Sequence, residues 1–334
     1  MEKIGWIGTG RLGTAIVRRL LTQNVPVMAF NRTYEKAQAL VEDGATLASS
    51  PRAVAEECST IFLCLTGHEA IEEVVFDSER GIVAAGAKPS GLVGSGQAQG
   101  TIATASDGWK RSIIDTSTVS PSFAISLAER LRETGIDYLE APVSGGPENA
   151  RLGKLACIMS GSQVQVEKHR ELMAKFTASL HYVGHSGNAQ LIKVLNNLAE
   201  SINLVGAAEV LAIGLHAGLD LQTLYTVLPT MRGYSTYMGV LLDRLVNPRE
   251  DVSFAVGSRL KDLKLAHQVA SDYATATPMG ALAEQLFTLL LQQEGPSADQ
   301  TTCIRLYSET SAREERDETS SSSTHLSHRS PKDV

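Results

Sequence analysis

Three groups of residues in this sequence have the types and spacing to do chemistry. Near the N-terminus, Gly8-Thr9-Gly10-Arg11-Leu12-Gly13 spells G-x-G-x-x-G, after the apolar run Ile4 to Ile7 and at the opening of a helical pattern. In that setting the first glycine makes a tight turn. The second lets a pyrophosphate approach the backbone at a helix N-terminus, and the third lets helix and strand pack closely. The bland alternative is an ordinary strand-to-helix turn. The next apolar run ends in Phe30-Asn31-Arg32-Thr33. A site for NAD wants a carboxylate there for the ribose 2′-hydroxyl, and none is present. Arg32 can instead meet a 2′-phosphate with charge-assisted hydrogen bonds, and Asn31 and Thr33 can add neutral ones. The expectation is therefore NADPH, favoured over NADH. The third group is Lys193, flanked by Leu191, Ile192, Val194 and Leu195, with Asn196, Asn197 and Glu200 following on its own helical face. Such a polar stripe faces either solvent or a polar cavity. Asparagine is a poor helix former, so a solvated face has little use for it. A partly buried lysine beside a cofactor would suit general acid/base work.

These groups need elements to position them. In the first half, short apolar runs alternate with helical patterns: strands at Ile4–Ile7, Val25–Phe30, Thr60–Leu65, Ser112–Ile114, Tyr138–Leu139 and Leu155–Met159, and helices at Arg11–Leu21, Tyr34–Val41 and Pro121–Leu131. Gly44 is read as the stop of the second helix. The alternation predicts a parallel sheet covered by helices on both faces, an α/β domain of Rossmann type. After about Gly187 strand signals vanish, and an all-α C-terminal domain follows. It opens with a helix from Asn188 to about Ala217, about 45 Å long at 1.5 Å per residue, expected to be buried on most sides. The expected domains are 1–186 for the dinucleotide, 187–308 for substrate and dimerisation, and 309–334 as a disordered Ser-rich tail. A Gly/Ala/Ser-rich stretch at 86–108 reads as a surface insertion.

Composition sets the limits. With 334 residues the chain has ample core for two domains. The net charge of −7 argues against nucleic acid and anionic membranes as partners. Cys58, Cys64, Cys157 and Cys303 are far apart and lack a histidine cluster, so no metal site or disulfide framework is expected. The apolar stretch Ala189–Leu215 is broken by Gln190, Lys193, Asn196, Asn197, Glu200, Ser201 and Glu209 and is not read as a membrane span. No signal peptide is read ahead of the first strand, so the expected location is the cytoplasm.

Four blocks, in order, give the chain a resemblance to the β-hydroxyacid dehydrogenase family. That family includes 3-hydroxyisobutyrate dehydrogenases, tartronate semialdehyde reductases, glyoxylate/succinic semialdehyde reductases and, more distantly, 6-phosphogluconate dehydrogenase. The blocks are the glycine motif; Asp115-Thr116-Ser117-Thr118 with Pro121; Ala141-Pro142-Val143-Ser144-Gly145-Gly146; and Gly184 through Lys193 to Asn197. Lys261-Asp262-Leu263 resembles a later family motif. The resemblance implies Lys193 as general acid/base and Asn197 as orienter of the substrate oxygen. It implies that Ser144, Gly145 and Gly146 hold a substrate carboxylate, and that Ser117 and Thr118, Thr118 above all, lie beside nicotinamide and substrate. Cofactor contacts are implied for residues 8–13, for Leu65 and for Lys261. From the residues alone, 144–146 would be a plain loop and Lys261 a surface charge. Three positions depart from the family pattern: Ala189 for a glycine, Thr66 for a proline, and Glu140 for an aspartate. Glyoxylate/succinic semialdehyde reductases also tend to have that glutamate and an N-R-T after the second strand.

The expected activity is hydride transfer between NADPH and a small carboxylated aldehyde or ketone, or the matching 3-hydroxy acid, in a homodimer or homotetramer. Two alternatives on the same fold are a catalytically inactive NADP-binding interaction module and an imine or other carbonyl reductase. Imine reductases generally lack the lysine, which counts against them here.

Overall fold

A computed structural model describes residues 2–86 and 110–307. The 86–108 stretch beyond Gly86 and the 309–334 tail lie outside the described residues. Six parallel strands form the main sheet: β1 (Ile4–Ile7), β2 (Val27–Phe30), β3 (Thr46–Leu47), β4 (Thr60–Leu63), β5 (Ser112–Asp115) and β6 (Asp137–Glu140). Their spatial order is β3-β2-β1-β4-β5-β6, so the order reverses between β1 and β4. That reversal is where doubly wound sheets open a crevice at the carboxyl ends of their strands. β1 is buried along its whole length. Its Trp6 stacks on Phe62 of β4 at 5.1 Å and meets Phe176 edge-on at 6.5 Å.

Helices cover both faces. α1 (Arg11–Thr22) buries Ala15, Ile16 and Leu20, which recur at helical spacing. α2 (Tyr34–Gln38) is shorter than its sequence suggests: Gly44, at φ +100°, closes a later turn rather than the helix itself. α3 (Pro51–Glu57) and α5 (Pro121–Glu133) begin alike, with Pro at the first helical position after a capping serine. Ser50 Oγ accepts from the Ala53 amide and Ser120 Oγ from the Phe123 amide. α4 (His68–Phe76) lies between β4 and the segment outside the description.

Leu155–Met159 is a strand, as expected, but not of the main sheet. It is β8 of a second, three-stranded sheet, with β7 (Val143–Ser144) antiparallel and β9 (Thr177–Tyr182) parallel to it. α6 (Gly146–Leu152) and α7 (Gln163–Met173) connect these strands. A short apolar run carries no information about which sheet a strand joins.

From Asn188 the described chain is helical: α8 (Asn188–His216), α9 (Leu221–Val227), α10 (Thr236–Val246), α11 (Val256–Asp272) and α12 (Pro278–Glu294), with short 3₁₀ turns. Contacts divide the chain into two compact units. One holds the described residues up to Asn197 together with Lys264–Ala276; the other holds Leu198–Leu263 together with the described residues from Thr277. Two of the three crossing points lie inside helices, α8 and α11; the third, between Ala276 and Thr277, precedes α12. The second unit has its own core around Leu204, Leu211, Leu241 and Phe287. Within it the fully buried Arg259 donates to Glu200 Oε2 at 3.0 Å, to Gln300 Oε1 and to the Tyr237 hydroxyl, and lies over the Phe254 ring. By length and composition α8 is apolar enough to cross a membrane, yet it buries Gln190, Lys193, Asn197 and Ser201. Burial on most sides was the expectation; instead Ile192, Leu195, Val210 and Ile213 are exposed.

Candidate active site

The turn after β1 is shaped by what a side chain would strike. Gly8 stands at φ +102°, and a Cβ there would sit 2.3 Å from the Cys64 carbonyl oxygen. A Cβ on Gly13 would sit 2.1 Å from the Gly8 carbonyl oxygen. Trp6 Nε1 donates to that same carbonyl at 3.0 Å, so the indole props the turn from below. Gly10 differs: an added Cβ would meet nothing within 4 Å. The open side of the turn, the start of α1 without an acid in its first turn, and the buried Thr9 hydroxyl with no partner among the described residues all fit a pyrophosphate. Arg11 opens α1 on the exposed side, and Leu12 packs half-buried against the core.

Beside this turn lies a cleft of about 500 Å³ lined by Gly8, Gly10, Asn31, Arg32, Thr33 and Leu65, among others. Asn31 ties its two walls together. Its Oδ1 accepts from the Thr9 amide at 3.0 Å, and its Nδ2 donates to the Thr33 carbonyl at 2.9 Å. Arg32 is 83% exposed and stands 3.5 Å from Glu73. Lys36 and Arg80 line the same cleft, with Asp77, whose carboxyl is held low by the Arg80 and Glu79 amides. Cys64 also lines it; burial pushes its thiol up to about 11, so it stays protonated.

A chain of buried hydrogen bonds runs from the ends of β4, β5 and β6 to the start of α8. The Leu65 amide donates to Ser117 Oγ, and the Ser117 amide to Asp115 Oδ1, both at 2.9 Å. The Tyr138 hydroxyl donates to Asp115 Oδ2 at 3.0 Å; burial, then the Asp115 charge, raise this phenol well above its ordinary value. Gln190, on the first turn of α8, donates from Nε2 to the Ser117 carbonyl at 3.0 Å and accepts at Oε1 from the Val119 amide at 3.1 Å. Thr118 lies between those two contacts. Glu140, at the end of β6, accepts from the Gly187 amide at 2.5 Å and the Gln190 amide at 3.2 Å, which caps α8. Burial raises the Glu140 pKa, and those two amides offset part of the rise. Ser160, paired with Glu140 as an isolated bridge, accepts from the Ala189 amide at 3.3 Å.

Lys193 follows Gln190 by three residues on α8 and is only 7% exposed; Asn197 follows by four more and is buried too. Asn196 Nδ2 donates to Asn197 Oδ1 at 3.2 Å, orienting that amide. The buried stripe of α8 is thus Gln190, Lys193, Asn197 and Ser201, while Glu200 is drawn to Arg259 and Tyr237. Four residues beyond Glu140 comes the Ser144-Gly145-Gly146 loop. Gly145 at φ +124° and Gly146 at φ +70° make consecutive left-handed steps, and Asn149 Nδ2 donates to the Gly145 carbonyl at 2.9 Å. Lys261 belongs to the second unit, where Nζ stands 3.0 Å from Asp262 Oδ1. Gln190 was legible only as a polar break in an apolar stretch; its spacing of three from Lys193 was the available signal. Among the described residues no cluster of three or more His, Cys, Asp or Glu could hold a metal.

Residues 3–184 match the family model described as the NAD binding domain of 6-phosphogluconate dehydrogenase. Residues 187–307 match the one described as NAD-binding of NADP-dependent 3-hydroxyisobutyrate dehydrogenase. The 2-(hydroxymethyl)glutarate dehydrogenase of Eubacterium barkeri is 30% identical over 286 residues, covering 85% of this chain and 88% of its own. The NAD-dependent L-serine dehydrogenase of Pseudomonas aeruginosa is 27% identical over 93% of this chain and 99% of its own. Among solved structures, Psf3 in complex with NADP+ and 2-OPP is 35% identical with a TM-score of 0.80, covering 91% of this chain and 99% of its own.

Proposed function

Since the chain belongs to the β-hydroxyacid dehydrogenase family and is a pyridine-nucleotide-dependent oxidoreductase, we propose that it uses NADPH, acts on a small carboxylated aldehyde or ketone or the matching 3-hydroxy acid, and employs Lys193 as general acid/base. The observation that carries this reading is Lys193 itself: a lysine 7% exposed on the buried stripe of α8, one turn from the Gln190 grip on the Thr118 loop and one turn from buried Asn197. A lysine is seldom buried without a task for its charge.

When bound, the dinucleotide supplies or accepts the hydride. The chain does the rest. In the reducing direction Lys193 Nζ gives a proton to the substrate oxygen; in the oxidising direction it takes the hydroxyl proton. Asn197 orients that oxygen. The Ser144–Gly146 loop, its backbone turned by two left-handed glycines, binds the substrate carboxylate through main-chain N–H groups and the Ser144 hydroxyl. In the cleft beside the glycine turn, the lack of a carboxylate directly after β2, with Arg32, Lys36 and Arg80 in the lining, favours a 2′-phosphate over a bare ribose hydroxyl.

The test is Lys193→Ala. Acid/base catalysis is typically worth about 10²- to 10⁴-fold, so kcat with NADPH and a small carboxylated carbonyl substrate falls by that order while NADPH affinity stays within about threefold. Lys193→Arg rescues little, because a guanidinium does not give up its proton. Near-normal turnover by Lys193→Ala on a substrate that the parent enzyme reduces would overturn the reading.

A further inference from the structure

We propose that Gln190 is a positioning residue: its amide registers the Thr118 loop against the helix that carries Lys193. This inference rests on the function proposed above. Gln190 is fully buried, and both ends of its amide are used. Nε2 donates to the Ser117 carbonyl at 3.0 Å, and Oε1 accepts from the Val119 amide at 3.1 Å, so the planar group grips the main chain on either side of Thr118. The grip is anchored at its own base, because the Gln190 backbone amide donates to Glu140 Oε2 at 3.2 Å and so fixes the first turn of α8 to the end of β6. From the far side the loop is held by Ser117, whose hydroxyl accepts from the Leu65 amide on the wall of the dinucleotide cleft. One amide thus links the helix of the acid/base residue, the loop of Thr118 and the wall of the cleft. The donor–acceptor pairing is specific. A glutamate retains the acceptor but sets a second oxygen against the Ser117 carbonyl, and a methionine retains the length but neither bond.

A purely structural Gln190 would only satisfy two buried main-chain groups, and its loss would act on stability alone. A positioning Gln190 acts through Thr118, so the two residues must be energetically coupled. The experiment uses the full chain with NADPH and a small carboxylated aldehyde that the parent enzyme reduces. It compares Gln190→Met, Gln190→Glu, Thr118→Ala and the two double variants for kcat, KM, NADPH affinity by fluorescence, and melting temperature. The expected result is a fall in kcat/KM of about tenfold or more for each single variant, NADPH affinity within about threefold, and double variants within about twofold of the worse single one, as residues acting as a unit are not additive. Losses that multiply in the double variants would overturn the proposal, as would a Gln190→Met enzyme with unchanged kcat/KM. Failure of both Gln190 variants to fold would also overturn it, by making the residue a structural one. Lys193→Ala run alongside separates the two claims. If it keeps turnover, the proposed function falls. If it loses turnover while Gln190 and Thr118 are additive, only the present inference falls.

Discussion

Gly10 and Gly13 are three positions apart in one motif, yet their surroundings assign them different jobs. A Cβ at 13 strikes the Gly8 carbonyl oxygen at 2.1 Å, a backbone atom that cannot swing away. Gly13→Ala is therefore expected to lower the melting temperature by several degrees, roughly 2–4 °C per kcal/mol for a unit of this size. Gly10→Ala meets open space. It is expected to leave the melting temperature within about 1 °C, a surface-type change, while weakening NADPH binding, measured by quenching of tryptophan fluorescence. Arg32 tests cofactor choice. A hydrogen bond to a charged group is worth about 1.5–3 kcal/mol, but Arg32 is exposed and shares its charge with Glu73. Arg32→Ala should then weaken NADPH by about tenfold and leave NADH unchanged; titration of both dinucleotides checks it, and equal losses would sink the NADPH assignment. Residues of this kind were legible in the sequence because each acts with near neighbours. The contacts of Gln190 and Glu140 were not. Gln190 reaches partners 71 and 73 positions away, and no local spacing announces such a bond. Glu200 misled for the opposite reason: helical spacing put it on the face of Lys193, and a distant Arg259 took its side chain.

At the scale of elements, α8 depends on a carboxylate from another strand. Glu140 accepts two amides at the helix start, yet burial raises its pKa. An acid whose folded pKa lies above its unfolded value stabilises the fold fully below the unfolded value, and loses that stabilisation as pH rises through the folded one. Urea unfolding of the parent and of Glu140→Gln, which cannot ionise, should show the parent losing ground against the variant as pH rises above the ordinary carboxylate range. A parent that gains stability relative to the variant as pH rises would refute this. The strands and the long helices were readable because apolar runs and 3.6-residue periods are written locally. The assignment of β8 to a second sheet was not, since partner choice depends on β7 and β9. The exposed apolar positions of α8 were likewise hidden: composition reports how much apolar surface a helix has and not which side another element covers.

For the whole molecule, a loss of stability in acid is expected from one buried histidine. His169 on α7 is buried, and its Nε2 has no partner among the described residues. Burial, with the Lys168 charge, drops its pKa to about 4. A histidine depressed in this way favours the fold above its unfolded pKa, and that contribution drains away as pH falls from about 6.5 to about 4, on the order of 3 kcal/mol. His169→Leu should flatten that stretch of the stability profile measured by urea unfolding; an unchanged slope would exclude His169 as the cause. The division of the chain has a consequence for how the molecule is made. The unit that holds the dinucleotide cleft and Lys193 also contains Lys264–Ala276. On the ribosome, therefore, the segment through Asn197 waits for roughly 80 further residues, about 4–16 s at a synthesis rate of about 5–20 residues per second. During that delay the nascent unit lacks one of its own segments, so a chaperone or the dinucleotide itself has time to meet it before the end of α11 arrives.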